Sequence, residues 1–135
     1  MRRRDLLVPV LSILCLLATG LAGARAADCV DLSGKWHGTW VSCKSGHHGT
    51  LNARFRKIGD DCYQVRFTGT FFVVVPFGFR ANLAVTKRED GKVYLSTSKR
   101  LPVLGTFCMS AVATECEFNA TYSSKDDEGQ FNLHR

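Results

Sequence analysis

The sequence predicts an all-β protein in which eight antiparallel strands close into an up-and-down barrel. Three observations carry this. From Leu32 onward no stretch sustains the i, i+3, i+4, i+7 apolar spacing of a surface helix. Two-residue alternation of apolar and polar side chains recurs instead. Turn signals punctuate that alternation at roughly 8 to 12 residue intervals: Gly46-His47-His48-Gly49, Gly59-Asp60-Asp61, Pro76 with Gly78, Glu89-Asp90-Gly91, Lys99 to Pro102, Glu115, and Asp126-Asp127-Glu128-Gly129. Strands with short links and one apolar face bury that face most economically by closing on themselves, which also removes exposed edges. A two-sheet sandwich is the competing arrangement.

The elements follow in order. Met1-Arg2-Arg3-Arg4-Asp5 is a charged lead-in, Leu6 to Leu21 is apolar, and Ala24-Arg25-Ala26 has small-x-small form. Residues 1–26 therefore read as a secretory signal peptide. The apolar run is too short and too diluted by Pro9, Ser12, Thr19 and Gly20 for an uncleaved anchor, which needs roughly 20 residues. Leu14 is too bulky for a lipoprotein reading of Cys15. Residues 27–135 form one domain, secreted or periplasmic, with no transmembrane segment of its own. The formal charge of +6 falls with the leader, because Arg2, Arg3, Arg4 and Arg25 leave with only Asp5. The mature chain is too mildly basic to argue a nucleic-acid partner.

Side-chain parity assigns the faces of the strands. The first points Trp36 and Trp40 inward with Gly34 and Gly38, the second Leu51, Ala53 and Phe55, and the third Tyr63, Val65 and Phe67. The fourth offers Phe77, Phe79, Ala81, Leu83 and Val85, and the fifth Val93 and Leu95. The sixth, within Val103 to Ala113, is ambiguous. The seventh contributes Phe118, Ala120 and Tyr122, and the eighth Phe131, Leu133 and, by parity, Arg135. In-strand Gly34, Gly38 and Gly69 suit a tightly curved wall.

Gly34-Lys35-Trp36 near the start of the mature chain resembles the G-x-W opening of lipocalins, and Leu32 to Trp36 is similar to the start of avidin-like barrels. The fold is thus calycin-like. The lipocalin resemblance implies a late basic residue covering the tryptophan at the closed end. In a meander the eighth strand ends where the first begins, which brings Arg135 to Trp36 for a cation–π stack worth about 0.5 to 2 kcal/mol. The tryptophans of an avidin-like biotin pocket are missing, so biotin is not implied. Through GHHG, VVPFGF, LGTF and FNATYSSKDDEGQF the chain also resembles a family of uncharacterised small secreted proteins of planctomycete-type bacteria, a likeness that implies no activity.

Chemistry is sparse. The acidic residues of the mature chain lie near its start, in turns or at strand ends, so no paired inward carboxylates exist for general acid/base work. G-x-S-x-G and H-E-x-x-H are absent, and the chain reads as a non-enzyme without a cofactor. His47 and His48 lie in a glycine-flanked loop without other ligands at metal spacing, and read as a solvated turn rather than a metal site. His37 and His134 read as outward residues of paired strands. Arg54, Arg56, Arg66 and Arg80 share outward parity on three neighbouring strands, a stripe for an anionic lipid or polysaccharide; an ordinary solvated wall is preferred because no aromatics interleave. Cys29, Cys62 and Cys116 map to the end where the chain starts, Cys43 to the other end, and Cys108 to mid-strand, where it could serve as a small buried hydrophobe. A bridge from Cys29 to Cys62 or to Cys116 is expected.

Thr68 to Arg80 holds the densest apolar run. The third strand is expected to end at Thr70, the fourth to begin at Phe77, and Phe71 to Pro76 to cross the barrel mouth, since Pro76 cannot donate to a ladder. The expected function is a binding protein for a small hydrophobic or amphipathic ligand at that mouth, capped by Phe71 to Phe79. Trp40, Phe55, Tyr63, Phe67, Phe72, Phe77, Phe79 and Tyr122 would line the site, with Tyr63, Tyr122 and Trp40 as polar handles. Gly34, Trp36 and Arg135 would close the far end. The competing reading is a cavity-less module that docks on an envelope component or protein through the same loop, with the loop folding inward as a plug as the plainest alternative.

Overall fold

The computed structural model describes residues 30–72, 74–102 and 105–135. The leader expected over residues 1–26, and Cys29, lie outside the described residues. Eight strands follow one another: β1 (Gly34–Ser42), β2 (His48–Gly59), β3 (Cys62–Phe71), β4 (Val75–Glu89), β5 (Lys92–Leu101), β6 (Gly105–Ala113), β7 (Glu117–Ser123) and β8 (Glu128–His134). Each pairs antiparallel with the next, and β8 returns to β1, so the sheet closes.

Alternation sets the faces as the sequence implies. Trp36 and Trp40, Leu51 and Phe55, Tyr63 and Phe67, Leu83, Leu95, Phe118 and Phe131 are buried toward the axis. In β6, whose parity the sequence left ambiguous, Phe107, Met109, Ala111 and Ala113 turn inward. Cys108 therefore faces solvent, with its Sγ 3.7 Å from Ser98 Oγ, and is not the buried hydrophobe the sequence suggested. The outward rows carry Arg, Lys, Asn and Thr, the reverse of the apolar outer band of a lipid-facing barrel. Among the described residues no helix is long and apolar enough to cross a membrane. Glycine at position 38 is sterically required, because a Cβ there would collide with the backbone of Asn132 and Leu133 on β8.

One end of the barrel is sealed. Leu32 lies across it, fully buried, and its carbonyl accepts the Trp36 indole N–H at 2.8 Å. The Arg135 guanidinium stacks over Trp36 with its Cζ 4.5 Å from the ring centroid. Its nitrogens also donate to the carbonyls of Glu115 (2.7 Å), Ser33 (2.8 Å) and Asp31 (2.6 Å). The last residue thus ties β8, the β6–β7 turn and the segment before β1 together. Asp31 accepts from Ser33 N–H and Oγ and from Tyr63 OH, and chiefly the two Ser33 bonds hold its carboxyl below the ordinary value of 3.8.

The other end departs from expectation in two ways. β3 runs on to Phe71 and β4 begins at Val75, with Thr70 opposite Pro76 and Phe71 opposite Val75, so the crossing is only residues 72–74. β5 continues through Lys99 to Leu101, pairing with β6 throughout, where the sequence suggested a turn. Between β4 and β5, by contrast, pairing is confined to Ala84–Glu89 against Lys92–Ser96. Beyond that, Val75–Leu83 pairs with β3 alone and Thr97–Leu101 with β6 alone, which leaves a slit in the wall toward the open end. The slit explains Pro76 inside a strand, because β4 is an edge there and an edge tolerates a missing N–H.

Candidate functional site: the open end

The inward rows bring aromatic side chains together at the open end at two levels. Lower down, five rings contact in a closed circuit: Phe67 to Phe79 at 5.0 Å between centroids, Phe79 to Phe107 at 5.5 Å, Phe107 to Tyr122 at 5.8 Å, Tyr122 to Phe131 at 4.9 Å, and Phe131 back to Phe67 at 5.5 Å. This circuit fills the width that eight strands provide and forms a floor. Above one side of it stand Trp40, Phe71 and Phe77, with centroids 4.4 to 6.0 Å apart. Gly69 makes that upper group possible, since a Cβ there would strike the Phe77 ring.

The upper group is where apolar surface meets solvent. Phe77 and Phe79 point inward yet are only half-buried, as is Leu101 across the slit. Phe72 is 67% and Val74 77% exposed at the tip of the β3–β4 connection. Phe72 adopts a left-handed backbone conformation (φ 49°), uncommon for a bulky residue, and its ring packs 4.7 Å from that of His47.

The expected site residues divide by height along the axis. Trp40, Phe72, Phe77 and Phe79 belong to the open end, and Phe67 and Tyr122 to the floor beneath it. Phe55 and Tyr63 do not belong there. Phe55 packs on Trp36 and Phe118 at 5.6 and 5.2 Å, and Tyr63 lies 6.2 Å from Phe55, so both are part of the sealed end. Nor are the three expected polar handles free, because buried donors need partners. The Tyr63 hydroxyl receives Leu32 N–H and donates to Asp31 at 3.3 Å each. The Trp40 indole donates to the Thr70 carbonyl at 3.2 Å, and Tyr122 OH donates to Asp127 Oδ2 at 2.9 Å. Burial first, and then that bond to Asp127, push the Tyr122 phenol well above its ordinary 10.0. Asp127 also accepts from Ser42 Oγ at 2.5 Å and Glu128 N–H at 2.9 Å.

A polar group that the sequence reading missed is Lys99. Paired with Phe107, it occupies the inward row of β5 beside the slit. Its Nζ donates across the slit to the Arg80 carbonyl at 2.6 Å. The signal available in the sequence was its even spacing from Leu95 and Leu101, four residues and two; the run Ser98-Lys99-Arg100 masked it as a turn.

The remaining residues are surface features. His37 faces His134 across β1–β8, outward as expected, and its Nδ1 lies 2.7 Å from Asn52 Oδ1. No cluster of three or more metal-ligand side chains occurs among the described residues. Cys62 and Cys116 lie at the sealed end and Cys43 at the open end; among the described residues no two cysteines, Cys108 included, are bridged to each other. Both expected bridges involve Cys29.

The architecture defines a class: a closed eight-stranded antiparallel up-and-down barrel, with a sealed end and an aromatic open end. Among solved structures it is similar to a redesigned β-barrel, mFAP1, whose structure is described as bound to DFHBI. The TM-score is 0.60 at 17% identity, covering 81% of this chain and 98% of that one; at that identity the likeness establishes the fold alone. No protein-family model matches the chain, and no curated protein does.

Proposed function

We propose that this is a secreted or periplasmic, non-catalytic protein that binds a small amphipathic ligand at its open end. The observation that carries the reading is the half-burial of the inward-facing Phe77 and Phe79 beside a wall whose backbone pairing stops short. Apolar surface in that position is reachable from solvent at the mouth of a barrel, a common setting of a small-molecule site. The floor of five rings keeps any bound molecule shallow. Lys99, at the rim of the same surface, suits a ligand with an anionic head and an apolar tail. The neighbouring barrel described as bound to DFHBI supports the use of such a fold as a binding vessel. Placement of the acids in turns and at strand ends supports a non-catalytic role, and the leader-like residues 1–26 support export. In an oxidising compartment Cys29 would pair with Cys62 or with Cys116.

The exposure of Phe72 and Val74 favours a second reading, docking onto an envelope component through that loop. Titration with decanoate and with decanol, followed by tryptophan emission, separates the two. Saturable quenching by both is expected, with decanoate about tenfold tighter through a charge-assisted hydrogen bond and that preference lost in Lys99→Met. Adsorption to envelope fragments without saturable quenching would favour docking.

A further inference from the structure

The wall on the outside of β1 to β4 carries a second feature, independent of the mouth. Register places Lys35 opposite Arg54, Arg54 opposite Arg66, and Arg66 opposite Arg80. All four face outward and are exposed. Four cations thus stand directly side by side, at about 4.8 Å from strand to strand. Like charges in directly opposed positions destabilise a sheet, and nothing on this wall relieves them. Between the strand ends, the outward rows of β1–β4 hold no Asp or Glu. Among the described residues the ion pair of Lys87 with Glu89 lies at the far end of β4. Two adjoining depressions follow the row, one along Arg54, Arg66 and Arg80, the other leading from Arg80 to Lys99, and they share Arg80 and Gln64.

We infer that this trough binds a flexible polyanion, specifically an acidic polysaccharide bearing sulfate or carboxylate groups. Shape selects the class. Eight strands share the circumference, so each turns the wall by about 45° and the row of four wraps about 135° of a convex cylinder. A flat bilayer meets only part of such an arc, and a stiff nucleic-acid duplex does no better. A flexible chain can follow it. Single-stranded nucleic acid would also bend, but it is held through aromatic stacking platforms. The outward neighbours of this row are instead Asn52, Arg56, Gln64, Thr68 and Asn82, and the one ring among them, His37, is held beside Asn52 with its Nδ1 2.7 Å from Oδ1. The step between cations is comparable with the length of one sugar ring, so charges on successive residues of a polysaccharide can meet successive strands.

The test uses dextran sulfate as the probe, with uncharged dextran as control, on the purified protein. Binding to dextran sulfate alone is expected, with affinity falling as salt rises and the logarithmic slope shrinking by about one for each contributing cation removed. The triple variant Arg54→Gln, Arg66→Gln, Arg80→Gln should lose about 30-fold or more at low salt. A variant with the same charge loss elsewhere, Lys92→Gln, Arg100→Gln, Lys125→Gln, should bind nearly as wild type. Equal loss in the two triple variants would overturn the proposal, because net charge rather than the row would then govern binding. It would also be overturned by absence of binding, or by equal or tighter affinity for duplex DNA, single-stranded DNA or phosphatidylglycerol vesicles.

Discussion

The two ends of the barrel are built from the same materials and behave as opposites. At the sealed end, Trp36 lies between Phe55 and Phe118 beneath Leu32, and Arg135 caps it with one stack and three carbonyl bonds. At the open end, Trp40 packs equally well against Phe71 and Phe77, but β4 and β5 are unpaired along the slit and the β3–β4 loop exposes Phe72 and Val74. The difference teaches that aromatic content does not decide which end is a lid. What decides it is whether hydrogen bonds to main-chain groups tie the opening across. The sealed end stores stability; the open end leaves apolar surface available for binding.

That contrast can be broken by mutation. Trp36→Ala should cost about 3 to 5 kcal/mol, the range for a buried aromatic truncated in a core, whereas Phe72→Ala should stay within about 0.5 kcal/mol of wild type. Urea denaturation checks both, and a large loss at Phe72 would mean that the exposed loop is structural after all. Arg135→Ala should cost about 2 kcal/mol through its stack and its bonds to main-chain carbonyls. Lys99→Ala, which removes a single bond across the slit, should cost less than about 0.5 kcal/mol. Equal costs would argue that the slit is held as firmly as the sealed end.

The smallest effects lie in the pH dependence, and the two ends divide it between them. Asp31 at the sealed end has a folded pKa below its ordinary 3.8, so its contribution is present above that value and is lost as pH falls toward the folded pKa. Tyr122 beneath the open end has a folded pKa raised above 10.0, so its contribution is complete below pH 10.0 and is lost as pH rises beyond it. Asp31→Asn should flatten the acid limb of a stability–pH profile and leave the alkaline limb alone, and Tyr122→Phe should do the reverse. Both variants flattening the same limb would show that the pairings of these groups are misassigned.

Much of this was legible in the sequence because a strand has an exact two-residue period. Parity placed the inward rows of every strand but the sixth, and the lipocalin resemblance together with the up-and-down order brought Arg135 to Trp36. Height along the axis was legible only coarsely, enough to put Cys62 at the end where the chain starts but not applied to its neighbour Tyr63, since finer placement depends on register and stagger between strands. That is why Phe55 and Tyr63 were expected beside Phe77 although they lie at the other end. The slit was hidden for a related reason: alternation says which face a residue takes but not which neighbouring strand its backbone bonds. Lys99 was lost because a polar triplet near a proline looks like a turn. The stripe of outward arginines was legible from parity, but register made Arg54, Arg66 and Arg80 direct neighbours and added Lys35 to their row.

The central claim is that ligand enters at the Trp40 end and never reaches Trp36. Two single-tryptophan proteins, Trp36→Phe and Trp40→Phe, titrated with decanoate while indole emission is followed, test it most directly. Saturable quenching is expected in the protein that keeps Trp40, and a flat response in the one that keeps Trp36. Saturable quenching of Trp36, or of neither indole, would contradict it.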